Sequence, residues 1–192
     1  AEILTLFAAT ICNWEAPLLA SHILWVNLAT ATLPALALGV DPASKNIMKH
    51  RPVKSGTLFE RDLIHRVVTQ GIFVAGMTTA AYWAGASTGS HTAGQTMAFA
   101  TLAFSQMLRS FNQRSNTEPI WVRAEGINPW LIISFAVSAL LMAVILFIPM
   151  FQSAFRLTSL TGSQWLAVMG FSLLSLIQVE VVKWMKKQFK RV

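Results

Sequence analysis

Runs of about twenty predominantly apolar residues, divided by short charged segments, fill this 192-residue chain. They lie at roughly His22–Val40, Leu63–Gly85, Ala93–Met107, Pro129–Met150 and Gln164–Trp184. Runs of that length suit a bilayer, and a helix spanning lipid satisfies all its backbone hydrogen bonds internally. A sixth apolar stretch, Ala1–Asn13, is too short to span at ~1.5 Å per residue. The predicted fold class is therefore all-α: a polytopic transmembrane helix bundle of five full spans plus one partial N-terminal helix, forming a single transmembrane domain over 1–192. Ala1–Ile11 has no basic flank and no signal-peptide pattern, so Ala1 is read as a domain boundary.

Composition agrees. Hydrophobic residues make up 54% and charged residues 12%, with a mean hydropathy of +0.53. Soluble domains carry roughly twice that charged fraction, because their surfaces face water. The excess of 15 Lys and Arg over 8 Asp and Glu would suit a nucleic-acid partner if it formed a stripe, but the basic residues fall between apolar runs. No nucleic-acid partner is expected. The single cysteine, Cys12, excludes an internal disulfide framework and a multi-cysteine zinc site.

The loops alternate in charge. Asp41–Arg61 carries Lys45, Lys49, Arg51, Lys54 and Arg61; Leu108–Asn128 carries Arg109, Arg114 and Arg123; the tail carries Lys183, Lys186, Lys187, Lys190 and Arg191. The intervening loops hold one Lys or Arg between them, Arg156. By the positive-inside rule the first set is cytoplasmic and the C-terminus lies inside. Trp14, Trp25, Trp83, Trp121, Trp130, Trp165 and Trp184 sit near predicted span ends, as interfacial anchors do. In Leu63–Gly85, the small residues Gly76, Ala80 and Ala84 recur every fourth position, a stripe that predicts close helix packing.

Polar groups at membrane depth are costly and mark function. Asn27, Thr30, Ala31 and Pro34 share one face of an α-helix. Pro34 has no N–H for the carbonyl of Thr30, so the helix should loosen there. An amide, a hydroxyl and a freed carbonyl could form half of a hard-cation site, or serve as packing groups in a kinked helix. Glu2 lies in the partial helix, and Gln106 follows Thr101 and Ser105 along a polar edge. Glu180 and Lys183 are read as an interfacial ion pair, and His22, His50, His65 and His91 lack mutual ligand spacing. No phosphate-cradling loop, nucleophile elbow or paired His/Cys motif occurs, so no catalytic residue is assigned.

The stretch from Ile23 to Pro42, read with Asn46-Ile47-Met48 and Arg51-Pro52, resembles the sixth transmembrane helix and following loop of P-type calcium ATPases of the sarcoplasmic-reticulum and bacterial kind. Ala1-Glu2-Ile3 is similar to part of the family's fifth helix, Met97–Asn112 to its eighth, Asn128-Pro129-Trp130 to the start of its ninth and Gln164-Trp165-Leu166 to the start of its tenth. The resemblance implies cation ligands at Glu2, Asn27, Thr30 and Gln106. It also implies a cytoplasmic loop, 41–61, that contacts the phosphorylation domain. Where the family has an Asp directly after the helix-six Thr, this chain has Ala31. Calcium is thus the expected transported ion, held weakly or not at all by this chain.

ATP and magnesium would belong to cytoplasmic domains outside it, and its partners would be the bilayer, those domains and the first four helices. The implied location is a bacterial plasma membrane. The alternative is a non-catalytic membrane scaffold or accessory bundle that has lost ion binding. A soluble redesign of the same fold is disfavoured by the apolar runs.

Overall fold

A computed structural model describes residues 1–41, 61–113 and 128–189. The loop 42–60 with its Lys49 and Arg51, Trp121, and Lys190 and Arg191 lie outside the described residues. The elements are α1 (Glu2–Ile11), α2 (Ala20–Trp25), a π-helical segment (Val26–Ala31), α3 (Thr32–Gly39), α4 (Arg61–Ala86), α5 (His91–Gln113), α6 (Pro129–Phe147), α7 (Pro149–Ala154) and α8 (Gly162–Phe189). No strand occurs among the described residues.

Three described helices are long and apolar enough to cross a membrane: Ala20–Gly39, which joins α2, the π segment and α3, then Pro129–Phe147 and Gly162–Lys183. The other two predicted spans are helices of 26 and 23 residues, α4 and α5, without that composition. Packing explains the difference for α5. It is buried without a break from Ala93 to Ala103, so Gln95, Thr96 and Thr101 face protein rather than lipid. Around it gather Val26, Val74, Met142, Ile145 and Val168. The outward surface is aliphatic, with Leu24, Leu36, Leu140 and Leu166 each more than 60% exposed. In water such side chains would forgo about 1.5–3 kcal/mol each; a bilayer removes that cost.

Several local expectations need correction. The span read as Pro129–Met150 stops at Phe147, because Ile148 is extended (φ −89°, ψ 119°). Its successor Pro149 disfavours the helical conformation at that residue and opens α7 instead. The small-residue stripe is only partly a packing seam: a Cβ at Gly76 would meet nothing within 4 Å, whereas Ala84 packs against the core. The buried face of α4 runs through Val74, Thr78, Ala81 and Tyr82 to Gly85, where a Cβ would lie 2.6 Å from Gly94 Cα of α5. Glu180 and Lys183 do pair, Nζ to Oε1 at 3.4 Å, but inside the bundle, where Lys183 also donates to the Asn112 carbonyl at 2.9 Å.

Hydrogen bonds sort the connections to two ends. At one, Asn128 Nδ2 donates to Asp41 Oδ1 and to the Ala37 carbonyl, both at 3.1 Å, and Lys183 meets the end of α5. At the other, Glu15 lies 3.0 Å from His91, Gln95 donates to the Ala16 carbonyl at 2.8 Å and Gln164 to Thr88 at 3.3 Å. This is the grouping that the charge alternation predicts. The tryptophans divide: Trp83 and Trp130 are exposed, whereas Trp165 stacks on Phe147 at 5.5 Å and Trp25 meets Phe155 edge-on at 5.7 Å.

His22 is fully buried. Its Nδ1 accepts from the Leu19 N–H at 3.3 Å, which leaves Nε2 to carry the proton donated to the Phe155 carbonyl at 2.7 Å. The ring also packs on Phe99, 4.8 Å between centroids. His22→Phe preserves the stacking but orphans both partners, and is expected to lower stability by ~2–4 kcal/mol, measured by denaturation in micelles.

Candidate cation site

The carboxylate of Glu2 receives two amides from two other helices. Asn27 Nδ2 donates to Oε2 at 2.8 Å, and Gln106 Nε2 donates to Oε1 at 2.9 Å. Three of the four residues implied as ligands thus meet at one carboxylate, although 104 positions separate Glu2 from Gln106.

The fourth lies apart, for a backbone reason. The expected loosening occurs earlier than Pro34 and spreads over Val26–Ala31 as π-helix, with the Thr32 N–H bonded to the Asn27 carbonyl five residues back. Thr30 Oγ1 donates to the Val26 carbonyl at 2.6 Å, and Thr32 Oγ1 to the Asn27 carbonyl at 2.7 Å. A wider turn breaks the 3.6-residue phase on which the common face of Asn27 and Thr30 depended. Asn27 is accordingly exposed while Thr30 is buried.

Thr30, Ala31 and Pro34 line a cleft of about 470 Å³, with Gln70, Gln106 and Arg109 on its other walls. Gln106 connects the two parts, since it lines the cleft and bonds to Glu2. Thr101 and Ser105 do not join it. Both are buried, and Thr101 faces α8, where its carbonyl accepts from Ser172 Oγ at 3.4 Å.

Arg109 belongs to this site, and sequence reasoning placed it in a loop. Because α5 continues to Gln113, Arg109 sits one turn beyond Gln106 and donates to Gln70 Oε1. The i, i+3 spacing from Gln106 was the available signal. Its guanidinium sets a fixed positive charge in the cleft that Ala31 lines.

Chemically, Glu2 supplies one anionic, bidentate-capable ligand. Both amides present N–H groups to it, so each would have to turn about its last side-chain torsion to offer oxygen to a cation. That torsion is broad and nearly two-fold. Among the described residues no three of His, Cys, Asp and Glu gather in a metal-binding group. His91 bonds instead to Tyr82 at 2.9 Å.

Residues 15–185 match the family described as cation transporting ATPase, C-terminus. Calcium-transporting ATPase 1 of Bacillus cereus is 36% identical over 97% of this chain and 23% of its own length. The calcium-transporting ATPase of Bacillus subtilis is 35% identical over 89% of the chain and 19% of its own length. A mouse relative, calcium-transporting ATPase type 2C member 2, is 30% identical over 95% and 20%. The chain thus spans about a fifth of the length of these relatives.

Proposed function

This chain belongs to the cation-transporting P-type ATPases, as C-terminal membrane region, and from that premise we propose that it supplies part of the mid-membrane site of an ATP-driven calcium transporter. The observation that carries the reading is the single carboxylate of Glu2 held between Asn27 and Gln106. Asn27 and Gln106 offer amide oxygens after rotation, and Thr30 offers a hydroxyl from the adjoining cleft. Calcium is the cargo. ATP, magnesium and the phosphorylated residue belong to the cytoplasmic domains of the complete pump, against which the loop 41–61 docks.

In this reading α4 and α5 also cross the bilayer, which gives five spans. Their 26 and 23 residues extend about 39 and 35 Å, against a hydrocarbon core of ~30 Å. The exposed face of α4 carries Leu63, Ile64, Val67, Val68 and Ile72. The end bearing Asp41, Asn128 and Lys183 lies in the cytoplasm. Cysteines placed at Lys49, Arg114 and Lys187 in a Cys12→Ser background should label from the cytoplasmic side, and those at Ser90 and Ser159 from outside. Cys12 must go because it is exposed. Labelling of positions 49 and 90 from one side would refute this topology.

Glu2→Gln keeps the size of the carboxylate but removes its charge and turns one of its two acceptor oxygens into a donor. In the complete pump, calcium affinity should fall at least tenfold, ~1.4 kcal/mol, while expression holds. Unchanged affinity would overturn the ligand assignment. A second reading, a scaffold without ion binding, is favoured by Ala31 and by Arg109 in the same cleft. It predicts no calcium binding in either protein.

A further inference from the structure

The span α6 has 19 residues, about 28 Å, which nearly matches the ~30 Å of a hydrocarbon core. Trp130 is exposed at its first turn, beside the bonded pair Asn128 and Asp41, so its last residue, Phe147, reaches the opposite boundary of the bilayer. There Ile148 is extended and Pro149 opens α7, in which no residue is buried. The apolar outer surface continues past the end of the span all the same. Phe147, Ile148, Met150 and Phe151 are exposed in succession, Met150 at 77%. The loops at this end, 12–19, 87–90 and 155–161, all lie within the described residues and leave these side chains open.

The short helix has two sides. At 100° per residue, Met150, Ala154 and Phe151 fall within about 100° of one another, and Gln152 and Ser153 fall on the opposite arc. Directly after it stands Arg156, exposed and in the left-handed region at φ 52°. Glycine would hold that conformation with less strain. Its guanidinium has no hydrogen-bond or ion-pair partner among the described residues. An arginine kept where the backbone favours glycine points to a use for its side chain.

An amphipathic helix at the hydrocarbon boundary, followed by an unpaired cation, fits a phospholipid surface. Such helices sink the apolar side ~5–10 Å below the headgroups, and a guanidinium fork matches phosphate oxygens. We propose that α7 lies along the bilayer surface, with Met150, Phe151 and Ala154 in the acyl region and the Arg156 guanidinium on lipid phosphate. This foot is fastened to the helix that carries Asn27: the Phe155 carbonyl accepts from His22 Nε2 at 2.7 Å, and the Phe155 ring meets Trp25 edge-on. The proposal rests on α6 crossing a membrane, so the cation reading can fail without it.

The test places one nitroxide label at Met150, Phe151, Ser153 or Ala154 of the full-length protein, with Cys12 and any other cysteine replaced, in phosphatidylcholine vesicles. All four side chains are exposed, so a label displaces no core. Collision with oxygen, which concentrates in lipid, is compared with collision with a water-soluble nickel chelate. The oxygen-to-nickel ratio should be at least threefold higher at Met150, Phe151 and Ala154 than at Ser153. In Arg156→Gln the ratio at Met150 should fall by about half, with Arg156→Lys intermediate.

Nickel collision as frequent at Met150 and Phe151 as at Ser153 would overturn the proposal, since α7 would then stand in water. Low collision with both reagents at Met150, Phe151 and Ala154 would overturn the lipid as occupant, because another protein segment would then cover this side. An unchanged ratio in Arg156→Gln would overturn the phosphate contact.

Discussion

Gly85→Ala should be among the most damaging single-methyl additions in the bundle, lowering stability by about 1–3 kcal/mol. The added Cβ would stand 2.6 Å from Gly94 Cα and 2.7 Å from Gly94 N, and these are backbone atoms with no rotamer to yield. The α4–α5 hairpin would have to spread at the point where it turns. Gly94→Ala should act alike, since its Cβ would lie 2.8 Å from the Tyr82 carbonyl oxygen. Gly76→Ala is the control: it meets open space, and alanine suits a helix interior better than glycine by about 0.5–1 kcal/mol. Thermal unfolding of the three variants in one detergent decides it. Equal midpoints for Gly85→Ala and Gly76→Ala would show that the hairpin is looser than described.

Ala31→Asp should strengthen calcium binding at least tenfold, ~1.4 kcal/mol or more. Calcium takes about 6–8 oxygens, several from carboxylates. Glu2, Asn27, Thr30 and Gln106 provide few of these and one negative charge. Arg109, in the cleft with Ala31 and Gln106, works against a divalent cation. A carboxylate at position 31 would add oxygens and charge beside Thr30 and Gln106. It would also attract Arg109, so part of the gain should be withheld until Arg109→Gln is added, and the double variant should bind more tightly than the single one. Calorimetry on the complete pump measures both steps. No change at either would mean that the cation does not enter this cleft.

Much of the fold was legible because apolar length and charge spacing are one-dimensional signals. Predicted spans and observed helices agree within a few residues except where α5 runs on to Gln113, α8 to Phe189 and α6 stops before Pro149. Those differences are physical. Arg109 escapes a hydropathy count, since a half-buried guanidinium that bonds Gln70 costs less than an exposed one in lipid. The grouping of Glu2, Asn27 and Gln106 came from family likeness and not from spacing, because contact across three helices leaves no periodic trace. Thr30 departs from the face expected of it for the opposite reason: Asn27 and Thr30 share a face in an α-helix, and Val26–Ala31 form a π-helix.

That segment also fixes how the two halves of its helix are phased. Upstream, His22 is tied to Phe155; downstream, Ser138 donates to the Ala29 carbonyl and Asn128 to that of Ala37. Were Val26–Ala31 wound as α-helix with the same residues, everything beyond them would be turned by about 100°, one residue's share of a 3.6-residue turn. Ala37 would then swing its carbonyl away from Asn128, or His22 would leave Phe155. The extra residue is a spacer that lets one rod engage two differently oriented sets of neighbours, and rewinding the segment as α-helix would cost it one set or the other.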